Sequence, residues 1–442
     1  MWNASPAGAD PVVAQATPAA APAPSPSPTP TATPAPHLLQ VSGYADAGYT
    51  SASIASAVGT PGGSTISGRV FDTLNQQIQF HNFNLQVAYN GPIGGKVEAS
   101  FGDDANVINS YPKNCLTTGT GLGTPVGPAC TVNNTSIDMT QAYLSLASGQ
   151  FTLIAGKFET LAGAEVIESP SDLNFSRSIL FGYAVPFTHT GVRLTWAYNG
   201  NLSFIVGGNR GWDTTGPMYG SPFTFTATNT PFPFTDTGAL TFEGGAAWNP
   251  SKAFSATIQG YTGQVEEGFA VPALPTFNAL GLVNGFTPVS TLFAPATAPV
   301  RPQRSLVDTV LTWHVTPALT LVANGDTGQQ TNSAILDNHG ALVGYGTGTW
   351  SGVAGYGSYA LSGQWTATAR LEYFADYGGL RTGITQRWGE VTGTIAYTPN
   401  PNVIVRAEVR GDKSNQLFFI GQNGAGYYTN AQFGIETILK WP

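Results

Sequence analysis

Between residues 159 and 172 the chain gathers four carboxylates, Glu159, Glu165, Glu168 and Asp172, with one nearby cation, Arg177. Such a density of acid could serve proton transfer, hold a cation or set a field across a passage. The rest of the sequence speaks against catalysis. The five histidines, His37, His81, His189, His314 and His339, show no HExxH pairing, and neither a GxSxG elbow nor a GxxxxGK[ST] phosphate loop occurs. Thr188 and Thr190 flank His189 without supplying a nucleophilic serine. The expectation is therefore a protein that is not an enzyme and has no metal and no cofactor.

A second group of charges is spaced by two. Arg370 lies beside Glu372, Arg406 and Arg410 flank Glu408, and Lys157 and Arg193 bracket the acidic run. Alternate positions of a β-strand share a face, so each set would project from one side of an extended segment. What must position these groups is a wall of strands on one side and a loop on the other.

Strands are abundant. Around Val192, Leu194, Trp196 and Tyr198, apolar residues alternate with Arg193, Thr195, Ala197 and Asn199. The pair Asn199-Gly200 suits a type I′ turn, and Leu202, Phe204 and Val206 resume the alternation on a returning strand. From Leu38 onward about sixteen such segments occur, joined by about seven short turns and eight long, polar or Gly-rich loops. With 54 glycines, 32 prolines and 11% aromatics, the composition favours strands and turns over packed helices.

Only 10% of residues are charged, against about 25% in ordinary soluble proteins. Where the charges fall decides the surroundings. Asp46, Lys96, Glu98, Arg193, Glu243, Asp308, Arg370, Glu372, Asp376, Arg406, Glu408, Arg410, Glu436 and Lys440 all take the polar phase of their strands, and Arg210 leaves it only at a strand end. A cation facing lipid at the bilayer midplane costs about 2–4 kcal/mol, so a lipid-facing exterior would enforce this segregation. Trp196, Tyr198, Trp248, Trp313, Trp365, Tyr373, Tyr397 and Trp441 take the apolar phase, many near strand ends where membrane interfaces hold aromatic rings. The fold class predicted is all-β: a transmembrane antiparallel up-and-down β-barrel of about sixteen strands, lipid outside and water inside, with short turns and both termini periplasmic in a bacterial outer membrane. Outer-membrane lipid and lipopolysaccharide are then partners, and the loop-start pair Asp103-Asp104 is expected to meet solvent or lipopolysaccharide-bound cations. Nucleic acid is not a partner, because a net charge of −8 without a basic run offers phosphates no surface.

Residues 1–37 form a Pro/Ala-rich linker expected to be disordered, and residues 38–442 form the barrel. The tract PVVAQATPAAAPAPSPSPTPTATPAP can be read as a spacer touching the cell wall or as a passive tail. The start MWNASPAGAD lacks the basic and apolar parts of an export signal, which suggests a mature form. Cys115 and Cys130, in a Gly/Thr/Asn-rich segment, are read as a disulfide closing a loop of about 15 residues, worth roughly 3 kcal/mol, with two free thiols as the alternative.

The run GKFETLAGAEVIESPSDLNFSRSILFGYAVPFTHTGVRLTW resembles the OmpL-like β-barrel porin family of Gram-negative bacteria. The phrases AGKF, EVIESP, NFSRS and PFTHTG carry the resemblance, with FGDDANVI in support. It implies an outer-membrane porin passing small hydrophilic solutes.

A barrel of this size needs something to narrow it. The expected constriction is the loop 159–186, with Glu159, Glu165, Glu168 and Asp172 facing Lys157, Arg193, Arg370, Glu372, Arg406, Glu408 and Arg410 on the wall, so that opposed charges filter ions. The alternative is that these charges solvate a wide lumen and pair locally. The apolar loop 265–304 would cover the mouth or contact a neighbouring barrel in a homo-oligomer. Two other functions stay open: a non-conducting barrel acting as adhesin or envelope tether, and a barrel hydrolase.

Overall fold

The computed structural model describes residues 38–56, 64–108, 136–212, 240–264, 275–277, 283–286 and 302–442. The linker, Cys115, Cys130 and most of the apolar loop lie outside the described residues.

Sixteen strands form one antiparallel barrel: β1 Leu39–Ala52, β2 Gln77–Tyr89, β3 Ile93–Phe101, β4 Ile137–Ser148, β5 Phe151–Glu159, β6 Thr188–Ala197, β7 Leu202–Asn209 and β8 Thr241–Ser251. The second half is β9 Phe254–Gln264, β10 Gln303–His314, β11 Leu319–Leu336, β12 Leu342–Ala360, β13 Trp365–Asp376, β14 Gln386–Asn400, β15 Val403–Ser414 and β16 Thr429–Trp441. Each strand pairs with its sequence neighbours, and β1 closes the ring on β16 from Gly43↔Trp441 to Ala52↔Gln432. Closure leaves no edge, so every ladder hydrogen bond is made within the protein. Leu39 pairs with Tyr89, so both ends of the barrel lie at the short-turn rim.

The strands form where apolar and polar residues alternate, and the faces separate as the charges require. Outward Val353, Leu371 and Val391 are about 60% exposed, whereas inward Asp46, Glu98, Arg193, Arg370 and Glu436 are buried. The short-turn rim carries a belt of rings in which Trp365 stacks on Tyr397 at 4.5 Å and Phe151 on Trp196 at 6.0 Å.

Three readings change. The polar stretch between β11 and β12 is not a long loop: both strands continue past the others, and only residues 337–341 connect them. Its Gly, Thr and Gln residues are polar on both faces, which hides the alternation of a ladder rising beyond the membrane. Asp104 does not meet solvent. It lies in a short helix, Asp103–Ile108, is buried, and sits 3.3 Å from His81 Nδ1. Two charges take the outward phase, Arg387 and Lys413, because β14 and β15 run further than the alternation shows.

Within the barrel, toward the rim opposite the termini, Phe71, Phe181, Phe187, Trp212, Trp350 and Trp388 make an apolar core. These rings come from strands and from inward-folded connections, so part of the lumen is packed like a protein interior.

Leu194 points outward and Thr195 inward. Leu194→Arg is expected to cost about 2–4 kcal/mol and sharply reduce assembly, with Thr195→Arg well tolerated. Heat-modifiable migration reads this directly, and equal effects would refute the assignment of faces.

Candidate functional site

The connection between β5 and β6, residues 160–187, leaves the wall and enters the lumen. Pro170 opens a tight 3-10 turn, Ser169–Ser171, and a π turn follows at Leu180–Ala184. Such a segment has no ladder partner for its backbone groups, which must be satisfied elsewhere. Strand side chains supply those partners.

Glu408 accepts hydrogen bonds from the backbone N–H groups of Phe175 and Ser176 at 2.8 and 3.0 Å. Glu372 accepts from Ile179 and Leu180 in the same way, at 2.7 and 2.5 Å. Arg370 donates to the Ser176 carbonyl at 2.6 Å, Arg410 to that of Arg177 at 2.8 Å, and Arg406 to those of Ser169 and Asp172. The wall thus offers carboxylates to loop donors and guanidinium groups to loop acceptors.

Arg370 ties loop to wall most directly. It holds Glu165 of the loop at 2.8 Å and Glu390 of β14 at 2.6 Å. Glu165 also accepts from the Ser178 N–H at 2.7 Å and from the Tyr356 hydroxyl at 3.0 Å. Arg410 joins the network through Glu390 at 3.1 Å and Asp412 at 2.8 Å.

At its far reach the loop touches the seam where the barrel closes. Phe175 fits against Gly48 of β1 and Gly434 of β16, where an added Cβ would meet its ring at 2.6 and 2.7 Å. Those two glycines give the ring its seat.

Lys157 pairs with Asp138 at 2.9 Å, and Arg193 forms a two-point pair with Glu243 at 2.7 and 3.0 Å. Arg406 pairs with Glu436 at 2.7 Å, and Asp172 pairs with Arg177 inside the loop. Glu159 and Glu168 stand apart from Glu165 and Asp172. With Glu98 of β3 they form a trio whose carboxylate oxygens lie within 4.8 Å of one another. Lys96 compensates it, 2.8 Å from Glu98 and 3.9 Å from Glu168.

The sequence therefore named most of the charged groups, while the structure supplies their pairing. Of the expected loop acids, Glu165 meets a wall base, Arg370, in direct contact, while Asp172 pairs within the loop and Lys157, Arg193 and Arg406 pair with carboxylates of the wall. Glu390, Lys96, Glu98 and Tyr356 were not named as site residues. Lys96 and Glu98 were on the inward phase, but a strand pattern does not say which loop will arrive there. Glu390 precedes by one residue the alternating run VTGTIAYT, so the pattern alone does not place it on a strand. His189 is fully buried, with its ring 4.9 Å from that of Tyr261 in near-parallel stacking.

The family model described as "Putative beta-barrel porin-2, OmpL-like" matches residues 38–441. No curated protein matches the chain. Solved structures share the fold at low identity. The anion-selective porin from Comamonas acidovorans aligns with a TM-score of 0.53 and 8% identity, covering 91% of this chain and 99% of its own. The outer-membrane channel DcaP of Acinetobacter baumannii gives 0.52 and 11%, covering 91% and 97%. A loop-deletion mutant of OmpT, an outer-membrane protein of Vibrio cholerae, gives 0.52 and 11%, covering 91% and 99%.

Removing the Arg370 guanidinium would leave Glu165 and Glu390 buried without their main partner. Arg370→Gln is expected to cost about 3–5 kcal/mol and to loosen the loop, so that trypsin cuts the folded barrel after Arg177. Gly434→Leu, which evicts Phe175, should expose the same bond. Resistance equal to that of the unmodified protein in both variants would show that neither contact holds the loop.

Proposed function

The chain belongs to the OmpL-like β-barrel porin family, an integral barrel of the bacterial outer membrane, and on that premise we propose that it lets small hydrophilic solutes and ions diffuse through a lumen narrowed by residues 160–187. In this reading the short-turn rim faces the periplasm. The observation that carries the proposal is a division of labour among the luminal charges. The side chains of Arg370, Glu390 and Glu98 are fully buried, whereas those of Lys96 and Glu168, an ion pair at 3.9 Å, keep 19% and 17% of their surface open. Water reaches the second pair, so that pair and Glu159 form the proposed filter, with Glu165 and Asp172 holding the loop in place.

Diffusion past these exposed charges uses no bond-breaking step, and the protein is assigned no enzymatic role. Charge on these exposed groups sets which ions enter. Burial, and then the negative Glu98 beside it, pushes the Glu168 carboxyl up to about 7. Glu168 is consequently neutral below that pH and negative above it.

A second reading has an observation of its own. The central wall charges are so completely buried that the loop also resembles a plug, as a non-conducting adhesin or tether would have. Reversal potentials in planar bilayers under a salt gradient separate the two. Cation preference is expected to rise several-fold between pH 6 and pH 8 and to lose that rise in Glu168→Gln. A folded, inserted barrel without conductance would favour the plug, and an ion preference independent of pH and of Glu168 would remove Glu168 from the filter.

A further inference from the structure

Among the described strands, charge reaches the outer face of the barrel at one place. Among the described strand residues, only Arg387 and Lys413 are charged and on the outward phase. Both are exposed, and neither pairs with a carboxylate among the described residues. Lys413 pairs in register with Gly389, two residues from Arg387, so the two cations are diagonal neighbours across β14 and β15. Val405 lies opposite Tyr397 of the aromatic belt, and Lys413 is eight residues further along β15. Eight residues span about 26 Å of strand, or about 20 Å along the membrane normal at a tilt of about 40°. The pair therefore sits near the top of an apolar band that is typically about 25 Å tall, at the rim opposite the termini.

Directly beside the cations, on the membrane-core side, the wall is hollowed. A groove of about 840 Å³ runs across β10–β15, with Gly355, Gly389 and Gly411 among its shallow positions, Val353, Leu371 and Val391 beside them, and Lys413 contributing to it. A ligand-sized apolar hollow that meets two cations is amphipathic in the sense that a membrane lipid is amphipathic. The cations would bind a phosphate by charge-assisted hydrogen bonds, and the hollow would take a hydrocarbon chain.

We propose that this surface binds a phosphorylated, multiply acylated glycolipid of the lipopolysaccharide type from the outer leaflet, its phosphate between Arg387 and Lys413 and one acyl chain along the groove. The level of the cations selects the outer leaflet, and their charge selects an anionic headgroup. A second copy of this chain seated by two-fold symmetry would set like charges against each other, which disfavours it as the occupant.

The test uses the full chain, refolded from denatured protein so that it carries no lipid, in a zwitterionic detergent. Bis-phosphorylated lipid A is titrated and the bound species are counted by native mass spectrometry, with heat-modifiable migration confirming the fold. One lipid A per chain is expected, and Arg387→Gln with Lys413→Gln should weaken binding at least tenfold. Lipid A stripped of its phosphates should show a similar loss. A Cβ at Gly355 or Gly411 would meet nothing within 4 Å, so Gly355→Leu with Gly411→Leu fills the groove without crowding the wall. This variant should also bind lipid A at least tenfold more weakly. Unchanged lipid A affinity in either double variant would overturn the proposal, as would displacement of lipid A by an equal concentration of inorganic phosphate. A groove-filling variant that changes the number of chains per particle but not lipid affinity would also overturn it, identifying the occupant as another barrel.

Discussion

A segment that crosses the lumen of a barrel gives up the ladder that satisfies the backbone of the wall. In residues 160–187 the exposed amide and carbonyl groups would each lose a hydrogen bond if the loop lay against apolar side chains, at about 1–3 kcal/mol apiece. The lumen meets this constraint with charge. Glu372 and Glu408 cap pairs of loop N–H groups, while Arg370, Arg406 and Arg410 satisfy loop carbonyls. A guanidinium placed inside for this purpose needs a counter-charge, and Glu390, Glu436 and Asp412 supply it to Arg370, Arg406 and Arg410. Much of the central ionic network follows from the need to hold one irregular segment in place.

The same network distinguishes structural charges from charges able to act on a solute. Removing one partner from a fully buried ion pair leaves the other stranded, and the cost falls on stability. Changing a group that water reaches alters the local potential instead. Glu165 and Glu168 lie three residues apart in the acidic run yet fall on opposite sides of that line, because one is buried against Arg370 and the other stays partly exposed beside Lys96.

The wall was legible in the sequence because its two solvents impose a period of two. All sixteen strands appear in the alternation, and the inward phase of Arg193, Glu243, Arg370, Glu408 and Glu436 follows from it. Lipid tolerates little error there, so the pattern is clean. The long ladder of β11 and β12 was hidden because above the membrane both faces meet polar surroundings. Arg387 and Lys413 escaped notice for the same reason, being at strand ends where the alternation weakens. The pairing of loop to wall was not legible. Glu165 and Arg370 are 205 residues apart in the chain, and nothing in either neighbourhood encodes the other. The seat of Phe175 on Gly48 and Gly434 is equally invisible until the seam closes.

The central claim is that the wall holds residues 160–187 across the lumen as the element limiting passage. Its most direct test is single-channel conductance of the unmodified barrel beside one in which residues 163–185 are replaced by a short Gly/Ser linker, both confirmed as folded by heat-modifiable migration. Small, steady steps from the unmodified barrel and steps several-fold larger from the shortened one are expected. Equal conductances would contradict the claim by placing the limiting barrier elsewhere in the lumen.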